Sequence, residues 1–520
     1  MVLKYISAIL VFHAMVSVEA AKILAIYPTP SISHQVVFRP LTLELIKRGH
    51  SVTVVTTDPI FPKGNAPENL TEINAHDVSY KMITKAFPKL TPGNENDFIT
   101  QLKYLKKHFQ TILVEQSKIK EFNEIINNKT QEYDLIMIEA LYVIALGITH
   151  IYKAPTILVS SFGAFIDTYD IMGVPTHPIL YPNIFRQKLY DLSLYDKISE
   201  LYNQLRINYI LNYVDENEDE IIKRIFGSDV PSLAVLKNNV DMLFLNINPI
   251  WEGYFPVPPG VIHMGGLHLQ PLKELPKDLQ QYLDNSKNGV IYLSFGSNLK
   301  TSLLPPQTIE ILGEALSQLP YNVILKWDSE DFPYKSDNIR VYKWLPQSDL
   351  LHHPNIKLFI TQGGLQSTDE AISAGVPLLG IPMSADQWYN VDKYEHHNIG
   401  IKLNIGTLSV EKLKNSILDI IRNESYRNNI LRLRSLMQDQ PQKPLERAMW
   451  WIEYVLRHGG AKHLRAPAAN ISWADYLELK LVAVLFLAAV SLIAVFILLT
   501  TLIITLVWRT VRRDKKPKRA

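Results

Sequence analysis

The feature that most constrains this chain is an apolar run of 28 residues near its end, 481–508, which contains no charged side chain. About 20 apolar residues already cross the hydrocarbon layer of a bilayer. The segment that follows, 509–520, carries seven basic residues and one acidic residue, a pattern typical of the cytosolic side of a membrane span. The sequence therefore predicts a transmembrane helix over 477–508 and a cytosolic basic tail over 509–520.

The other end of the chain predicts a secretory signal peptide over 1–20. Lys4 precedes an apolar stretch over 5–18, and residues 18–20 form a plausible cleavage site. An uncleaved anchor or a first buried strand is the alternative, although the stretch is short for a spanning helix. A signal peptide and one stop-transfer helix predict a single-pass type I membrane protein with residues 21–476 on the lumenal or extracellular side.

Short motifs agree with that topology. Lys516 and Lys518 stand fifth and third from the end, where they look like a dilysine retrieval signal for the endoplasmic reticulum membrane. A plain stop-transfer cluster is the alternative interpretation. Glycosylation sequons, which also arise often by chance, begin on the predicted lumenal side at Asn69, Asn128, Asn423 and Asn470.

Composition removes several classes of function. The sequence has no cysteine, which excludes disulfides, thiolate metal sites and cysteine nucleophiles. Its formal net charge of +2 offers no global field for a nucleic-acid backbone, so nucleic acid is excluded as a partner. Homo- or hetero-oligomerisation stays open.

Hydrophobic periodicity predicts a strand, helix, strand unit at the start of the mature chain. Strands over 22–27 and 52–56 flank a helix with Phe38, Leu41 and Leu45 on one face. The G-x-G-x-x-G sequence is missing after the first strand, which argues against a dinucleotide cofactor.

Two polar residues lie at predicted strand ends. His34 follows the first strand, and Glu139 ends a further predicted strand over 133–138. Because ligands gather at the carboxyl ends of parallel strands, we expect His34 and Glu139 to meet in space.

The alternation of strands and helices restarts in a second half. A proline-rich connector near 265–285 separates the halves, because prolines resist continuation of either regular element. Beyond it the pattern predicts strands over 289–294, 323–327, 357–361 and 376–382 and helices over 305–319, 364–374 and 409–422. We therefore expect two Rossmann-like α/β domains facing a cleft, over 21–275 and 285–455, with a lumenal connector over 456–476.

A glycine pair in the second half predicts an anion site. A strand runs into Gly363 and Gly364 and then into a helix, so bare backbone N–H groups and the helix dipole face a ligand beyond the strand. Such a site suits a pyrophosphate. Gln362, Gln366 and Glu370 are spaced by four and are expected to share a helix face, with Glu370 in reach of ribose hydroxyls of the same ligand.

Four further residues extend this predicted site. Asp386 and Gln387 follow the next predicted strand and would reach the hydroxyls of a sugar. Trp344 offers a flat face for a base, and Gln347 can hydrogen-bond the edge of that base. Taken singly, each residue also has an ordinary explanation as core, turn or solvated helix.

Residues 359–387 resemble the signature of the UDP-glycosyltransferase family, the membrane-bound glucuronosyl- and glucosyltransferases of animals, including insect-like members. The resemblance extends from residue 22 through the anchor and includes 294–297, which ends at Ser297, and 344–347. It implies a GT-B fold with an amino-terminal acceptor domain and a carboxyl-terminal UDP-sugar domain. It also implies inverting, metal-independent transfer, with the UDP-sugar as co-substrate and no cofactor or metal site. The lack of an Asp-x-Asp pair agrees with this.

The resemblance assigns His34 as the general base and Glu139 as its partner. Vertebrate members commonly have an aspartate in the second place, so Glu139 is one methylene longer. They commonly have His-Gly-Gly where this chain has Gln362, Gly363 and Gly364. The loop of this chain therefore keeps a hydrogen-bond donor but loses a titratable one.

The implied acceptors are small lipophilic hydroxyl compounds, as in detoxification-type conjugation. The tyrosine-rich stretch 181–214 is interpreted as an acceptor-facing or membrane-facing helical region, with an ordinary packed helix pair as the alternative. A catalytically silent lipophile-binding membrane protein and a dinucleotide-dependent oxidoreductase are the rival functions.

The donor sugar is expected to be glucose rather than glucuronate. A desolvated carboxylate needs a cation, and Phe255 stands where many glucuronosyl members have an arginine. Glucuronate is the alternative sugar, because Lys300 or a cation from elsewhere in the chain could pair with its carboxylate.

Overall fold

The computed structural model describes residues 20–86, 98–128, 130–210, 218–253, 255–329 and 332–514. Nearly all of the predicted signal peptide and residues 515–520 of the predicted tail lie outside this part of the chain. Residues up to Ala466 belong to one compact unit, and residues from Pro467 belong to another.

The first unit opens with a sheet of seven parallel strands. They are β1 (Lys22–Tyr27), β2 (Ser51–Thr56), β3 (Leu70–Asn74), β4 (Leu135–Glu139), β5 (Thr156–Ser160), β6 (Val240–Leu245) and β7 (Val261–His263). Their order in the sheet is β3-β2-β1-β4-β5-β6-β7. Every residue of β4, β5 and β6 is buried, as expected for Val-, Ile- and Leu-rich strands covered on both faces.

Helices cover both faces of this first sheet. They are α1 (Ile32–Lys47), α2 (His76–Ala86), α3 (Phe98–Gln116), α4 (Lys120–Asn127), α5 (Ile148–Ile151), α6 (Ile166–Met172), α7 (Leu194–Tyr209), α8 (Glu218–Phe226), α9 (Leu233–Leu236) and α10 (Pro249–Glu252). Short 3₁₀ helices occupy Val143–Gly147 and Lys237–Asn239.

The second half contains another parallel sheet, which has six strands. They are β8 (Val290–Ser294), β9 (Asn322–Lys326), β10 (Ile339–Tyr342), β11 (Ile356–Thr361), β12 (Leu378–Gly380) and β13 (Gly400–Lys402), in the order β10-β9-β8-β11-β12-β13. The two Rossmann-like sheets confirm the predicted architecture.

The helices of the second half are α11 (Lys277–Asn285), α12 (Pro306–Ser317), α13 (Gln347–Leu351), α14 (Leu365–Ala374), α15 (Gln387–His396), α16 (Val410–Arg422), α17 (Glu424–Gln438) and α18 (Pro444–His458). Short 3₁₀ helices occupy Thr301–Leu303, Ile405–Thr407 and Lys462–Leu464. The connector is shorter than the predicted 265–285, because α11 already packs into the second half through Leu279 and Leu283.

Both sheets reverse their strand order at one point. In the first sheet β1 lies beside β4, and in the second sheet β8 lies beside β11. Loops that leave two such neighbouring strands diverge to opposite sides, which opens a crevice at their carboxyl ends. His34 and Glu139 lie at the first of these points and Gln362 lies at the second.

The last helix of the second half returns to the first sheet. Helix α18 buries Ala448, Met449, Ile452 and Val455 in the cluster that contains Val37 and Phe38 of α1. The Arg48 guanidinium also reaches the Glu453 carboxylate at 2.6 Å. All but the last three residues of α18 fall in the predicted range 285–455. By packing, however, α18 belongs to the first domain, since its apolar face at helical spacing is buried there.

The second unit contains α19 (Trp473–Tyr476) and α20 (Leu479–Asp514). Over Leu479–Arg512 the long helix has the length and apolar composition needed to cross a membrane. It overlaps the predicted span 477–508 and continues into the basic tail.

Truncating the buried face of α18 should destabilise the first unit. We expect Ile452→Ala, at a position that is fully buried, to cost about 2–5 kcal/mol of unfolding free energy through lost transfer energy and a cavity. The measurement is the thermal unfolding midpoint of the purified full chain. Leu436→Ala on α17, where the side chain is 51% exposed, is the matched control and should shift the midpoint far less. Equal shifts would contradict the assigned packing.

Candidate active site

The strand order of the first sheet brings His34 and Glu139 together. His34 lies in the first turn of α1, just after β1, and Glu139 ends the neighbouring strand β4. The His34 Nδ1 atom lies 2.8 Å from the Glu139 Oε1 atom. The extra methylene of glutamate therefore still allows a direct contact with the imidazole.

The Glu139 carboxylate has no exposed surface, so its charge must be balanced by nearby donors. The Thr29 hydroxyl donates to Oε1 at 2.6 Å, and the Thr29 backbone N–H donates to Oε2 at 3.1 Å. Burial and the charge of Glu139 raise the pKa values of the Tyr27 and Tyr142 hydroxyls well above their ordinary value, which keeps both phenols neutral. Glu139 is therefore held in place by Thr29 and His34.

Ser161 is a neighbour of the histidine that sequence reasoning missed. Its Oγ atom lies 2.9 Å from His34 Nδ1. The signal was available, because Ser161 follows β5, the strand next to β4. Both contacts involve Nδ1, and within the described residues Nε2 has no hydrogen-bond partner. That nitrogen is available to a ligand.

Two aromatic rings separate the histidine from a largely apolar cavity. The His34 ring packs edge-on against Phe162 at 5.7 Å, and Phe162 packs against Phe165 at 5.9 Å. Phe165 lines a cavity of about 60 Å³ whose other walls come mainly from α3, the start of α6 and the segment after β4. Gln110 also lines it, and the Gln110 Nε2 atom is buried without a hydrogen-bond partner. The cavity suits an apolar molecule with one oxygen that accepts a hydrogen bond.

The glycine loop lies where the second sheet reverses its strand order. Gly363 has φ +88°, and a Cβ there would lie 2.2 Å from the Val391 side chain, so the loop requires glycine. Gly364 is the N-cap of α14 and carries no side chain that could cap the first N–H groups. The Gln362 Oε1 atom is buried without a partner. The groups suited to an anion at the helix start are therefore the backbone N–H groups, because the unpartnered Gln362 Oε1 atom is a hydrogen-bond acceptor.

The expected shared helix face of Gln362, Gln366 and Glu370 is wrong for Gln362. Gln362 precedes α14, and the positive φ of Gly363 breaks the helical periodicity between them. Gln366 and Glu370 do lie on the helix. The Gln366 Nε2 atom, however, donates to the Ser161 carbonyl at 2.9 Å, a contact between the two sheet domains.

The Glu370 carboxylate is coupled to Gln347. Gln347 Nε2 donates to Glu370 Oε2 at 2.6 Å and to Ser367 Oγ at 2.9 Å, while Tyr292 donates to Gln347 Oε1 at 3.0 Å. Burial raises the pKa of Glu370 to about 7, although the Gln347 hydrogen bond opposes the rise. Gln347, predicted to bind the base, and Glu370, predicted to bind the ribose, therefore belong to one hydrogen-bonded group.

Asp386 and Gln387 form the start of α15. Asn390 Nδ2 donates to Asp386 Oδ2 at 2.9 Å. Burial raises the pKa of Asp386, and the Asn390 hydrogen bond and the charge of His34 oppose the rise. The Gln387 Oε1 atom accepts from the Met383 and Ser384 backbone N–H groups at 2.8 and 2.9 Å. Gln387 thus holds the loop, while Asp386 lies within electrostatic range of His34.

The remaining predicted binding residues lie at the surface. Trp344 is 64% exposed, with the Lys326 ammonium 4.5 Å from the centre of its ring. Burial lowers the pKa of that lysine, whose Nζ donates to the Gly296 carbonyl at 2.9 Å. Ser297 is exposed in the loop after β8. The indole face of Trp344 is therefore available for stacking on one side.

The four sequons differ in their surroundings. Asn69 Nδ2, the atom that would carry a glycan, donates to the Ile46 and His50 carbonyls at 2.8 and 2.9 Å. Asn128 and Asn423 are exposed, and Asn470 is partly exposed in the second unit. A glycan on Asn69 would therefore have to break two hydrogen bonds of the fold.

Solved structures share this architecture. The *Arabidopsis thaliana* UGT89C1 in complex with UDP-L-rhamnose matches with a TM-score of 0.56 at 16% identity, over 84% of this chain and 99% of that chain. CalG4, the calicheamicin glycosyltransferase, matches with a TM-score of 0.57 at 15% identity, over 85% and 100%. The fold is that of a GT-B glycosyltransferase.

Sequence relatives identify the family. The chain matches the family described as UDP-glucoronosyl and UDP-glucosyl transferase over residues 21–517, and it belongs to that family. It is 34% identical to the ecdysteroid UDP-glucosyltransferase of *Spodoptera littoralis* nuclear polyhedrosis virus over 92% of this chain and 96% of the relative. It is 32% identical to UDP-glycosyltransferase UGT5 of *Dactylopius coccus* over 91% and 90%. It is 30% identical to human UDP-glucuronosyltransferase 2B15 over 95% of each chain. The chain is therefore a UDP-glycosyltransferase.

A buried carboxyl beside the glycine loop should make folding stability depend on pH. Asp369 on α14 is buried, and its Oδ2 atom has no hydrogen-bond partner. Burial and the neighbouring Glu370 charge raise the pKa of Asp369 from 3.8 to about 8. The unfolded chain releases this proton earlier than the folded chain, so stability falls as the pH rises from about 4 to about 8.

We expect Asp369→Asn to remove that part of the pH dependence, because asparagine has no proton to lose. Between about pH 5.5 and about pH 8, the variant should lose about 3 kcal/mol less stability than the parent. Thermal unfolding midpoints at the two pH values provide the measurement. Asp419→Asn, at an exposed position, should keep the slope of the parent. If Asp369→Asn also keeps it, the buried carboxyl is not the source.

Proposed function

We propose that this enzyme transfers glucose from UDP-glucose to a hydroxyl group of small lipophilic acceptors, with inversion at the anomeric carbon and without a metal ion. The observation that carries the proposal is the orientation of His34. The buried Glu139 carboxylate accepts from Nδ1, which leaves the Nε2 lone pair for the acceptor hydroxyl.

The reaction is a single displacement. His34 Nε2 takes the proton of the acceptor hydroxyl while its oxygen forms a bond to the anomeric carbon. The bond from that carbon to the β-phosphate oxygen breaks, and UDP leaves with the electron pair. Glu139 stabilises the resulting imidazolium, and the N–H groups at the start of α14 stabilise the charge on UDP. In the described part of the chain, no group of three or more His, Asp or Glu side chains is arranged to hold a metal ion.

The apolar cavity beyond Phe162 and Phe165 supports a lipophilic acceptor. Its walls are mainly apolar, including Leu102, Phe109 and Phe185, which suits the apolar part of an acceptor. The buried Gln110 amide would pair with an oxygen on such a molecule, because an unpaired buried donor costs free energy that a ligand recovers. Conjugation of this kind suits a detoxification role.

Glucose is favoured over glucuronate by the charge of the donor site. Asp386 would accept hydrogen bonds from sugar hydroxyls and would repel a sugar carboxylate. Phe255 packs against Tyr169 and Tyr181 with ring centres at 5.3 Å, so its ring also has a structural role. The viral relative and others are named for glucosyl transfer, whereas the human relative is named for glucuronosyl transfer.

The same proposal includes a location. Helix α20 would anchor the enzyme as a single-pass type I protein, with both Rossmann-like domains in the lumen of the endoplasmic reticulum and the basic tail in the cytosol. Lys516 and Lys518 would act as the retrieval signal, and the exposed sequons at Asn128 and Asn423 would be glycosylated there.

A donor competition tests the function and the sugar together. Equal concentrations of UDP-glucose and UDP-glucuronate are supplied to the purified enzyme with a simple phenol, and the conjugate is identified by mass. We expect the glucoside as the main product, because Asp386 disfavours a carboxylate. A glucuronide as the main product would contradict the sugar assignment. No conjugate from either donor, with the folded state verified by UDP-dependent thermal stabilisation, would contradict the proposed activity.

A further inference from the structure

A closed set of hydrogen bonds links the two sheet domains beside His34. The Ser161 carbonyl accepts from Gln366 Nε2 at 2.9 Å and from Asn246 Nδ2 at 3.0 Å. The Gln366 carbonyl lies 3.2 Å from His268 Nε2, and Asn246 Nδ2 lies 3.4 Å from His268 Nδ1. We call Ser161, Asn246, His268 and Gln366 the interdomain ring.

The chemistry of these groups determines the direction of every hydrogen bond in the ring. The two carbonyls can only accept, so Gln366 Nε2 and His268 Nε2 must be the donors. Burial lowers the pKa of His268 to about 4, although the Gln366 carbonyl opposes the fall, so the imidazole is neutral and Nδ1 keeps a lone pair. The Asn246 amide has two N–H bonds, one for that lone pair and one for the Ser161 carbonyl. Each donor therefore meets an acceptor.

The ring joins elements that are far apart in the sequence. Ser161 and Asn246 follow the paired strands β5 and β6, His268 follows β7, and Gln366 is the second residue of α14. Asn246 has no exposed surface, and Ser161 and His268 are 1% and 8% exposed. Breaking one of these hydrogen bonds would leave a buried polar group unpaired, which costs free energy. The ring therefore resists displacement of any of its members.

One member of the ring contacts the proposed base. The Ser161 Oγ atom lies 2.9 Å from His34 Nδ1, the nitrogen that also contacts Glu139. Because Nδ1–H donates to the Glu139 carboxylate, the Ser161 oxygen is a second acceptor for the same N–H. Two amides hold the backbone of Ser161 at its carbonyl. The Ser161 side chain is thereby held against the imidazole.

Another member of the ring lies in the candidate phosphate site. Gln366 belongs to the first turn of α14, whose leading N–H groups suit an anion. The sequence predicts that Gln366 helps to bind the donor, but its Nε2 atom already donates to Ser161. A reaction between groups held by separate domains depends on their separation, and an error of about 1 Å can cost about 100-fold in rate. The ring spans this separation.

We propose that the interdomain ring positions His34 relative to the start of α14, and that Ser161, His268 and Gln366 are positioning residues. The inference rests on the proposed function, in which His34 is the base and α14 faces the leaving UDP. Ser161 acts on the imidazole directly, whereas His268 acts through its neighbours in the ring. Disruption of the ring therefore lowers turnover more than it weakens donor binding.

Two replacements of His268 test the proposal in the full chain. His268→Leu removes both imidazole nitrogens, whereas His268→Gln keeps a donor near the position of Nε2. We expect His268→Leu to lower kcat at least about tenfold, with the Kd for UDP within about twofold of the parent, and His268→Gln to recover most of the turnover. His353→Leu removes a buried histidine that contacts Asp284 at 3.1 Å and is the control, with the kcat of the parent.

A second variant covers the case in which His268→Leu does not fold. Gln366→Leu removes the donor to Ser161 at a partly exposed position, and it should also lower kcat while UDP still binds. A kcat at the level of the parent in the folded variants would overturn the proposal. A Kd for UDP that rises as far as kcat falls would also overturn it, because the ring would then serve donor binding.

Chemical modification of His34 separates this inference from the proposed activity. Diethyl pyrocarbonate acylates neutral imidazoles, and peptide masses report the rate at His34. We expect acylation to be at least about threefold faster in His268→Leu than in the parent, because Ser161 is no longer held against the imidazole. A parent that does not turn over UDP-glucose would refute the proposed activity and leave this rate as the test. Equal rates in parent and variant would overturn the inference.

Discussion

The contact between His34 and the fully buried Glu139 is the interaction on which the account depends. A carboxylate without solvent is costly unless donors surround it, and here Thr29 and His34 supply them. Those donors stand together only because β1 pairs with β4 in register, Ile26 beside Ile138. The strand order of the sheet thus determines which imidazole nitrogen is left for a substrate.

The strand order of the second sheet also determines where its candidate binding residues lie. Where this sheet reverses its strand order, the loops after β8 and β11 approach each other. Each loop contains a glycine with positive φ, Gly296 in the first and Gly363 in the second. A Cβ on Gly296 would lie 2.4 Å from the Gln362 amide, so the two loops pack more closely than side chains allow. In the proposed reaction, one domain orients a proton acceptor, and the other would present backbone N–H groups to a phosphate.

Several parts of this arrangement were predictable because they depend on local sequence. The alternating strands and helices gave β1, β4, β8, β11 and α14 close to their observed bounds, and strand ends placed His34 near Glu139. The family motif over residues 359–387 indicated where the glycine loop lies. These signals lie within a few residues of the features that they predict.

The features that were not predicted from the sequence depend on contacts between distant parts of the chain. The return of α18 to the first sheet joins residues about 400 positions apart, as in the pair of Arg48 with Glu453. The hydrogen bond from Gln347 to Glu370 and the contact of Ser161 with His34 have no local periodicity either. Strands β3, β5, β6, β7, β10 and β13 were also missed, since short apolar runs do not distinguish strand from helix.

The proposed mechanism depends on His34 as the general base, held by Glu139. The most direct test is the turnover number of His34→Ala with UDP-glucose and a phenol, together with thermal stabilisation by UDP. His150→Ala removes a histidine that pairs with Asp229 at 3.2 Å and is the control. We expect that His34→Ala lowers kcat by about 10²- to 10⁴-fold, that UDP stabilisation persists, and that His150→Ala turns over like the parent. Turnover of His34→Ala at the rate of the parent would contradict the account.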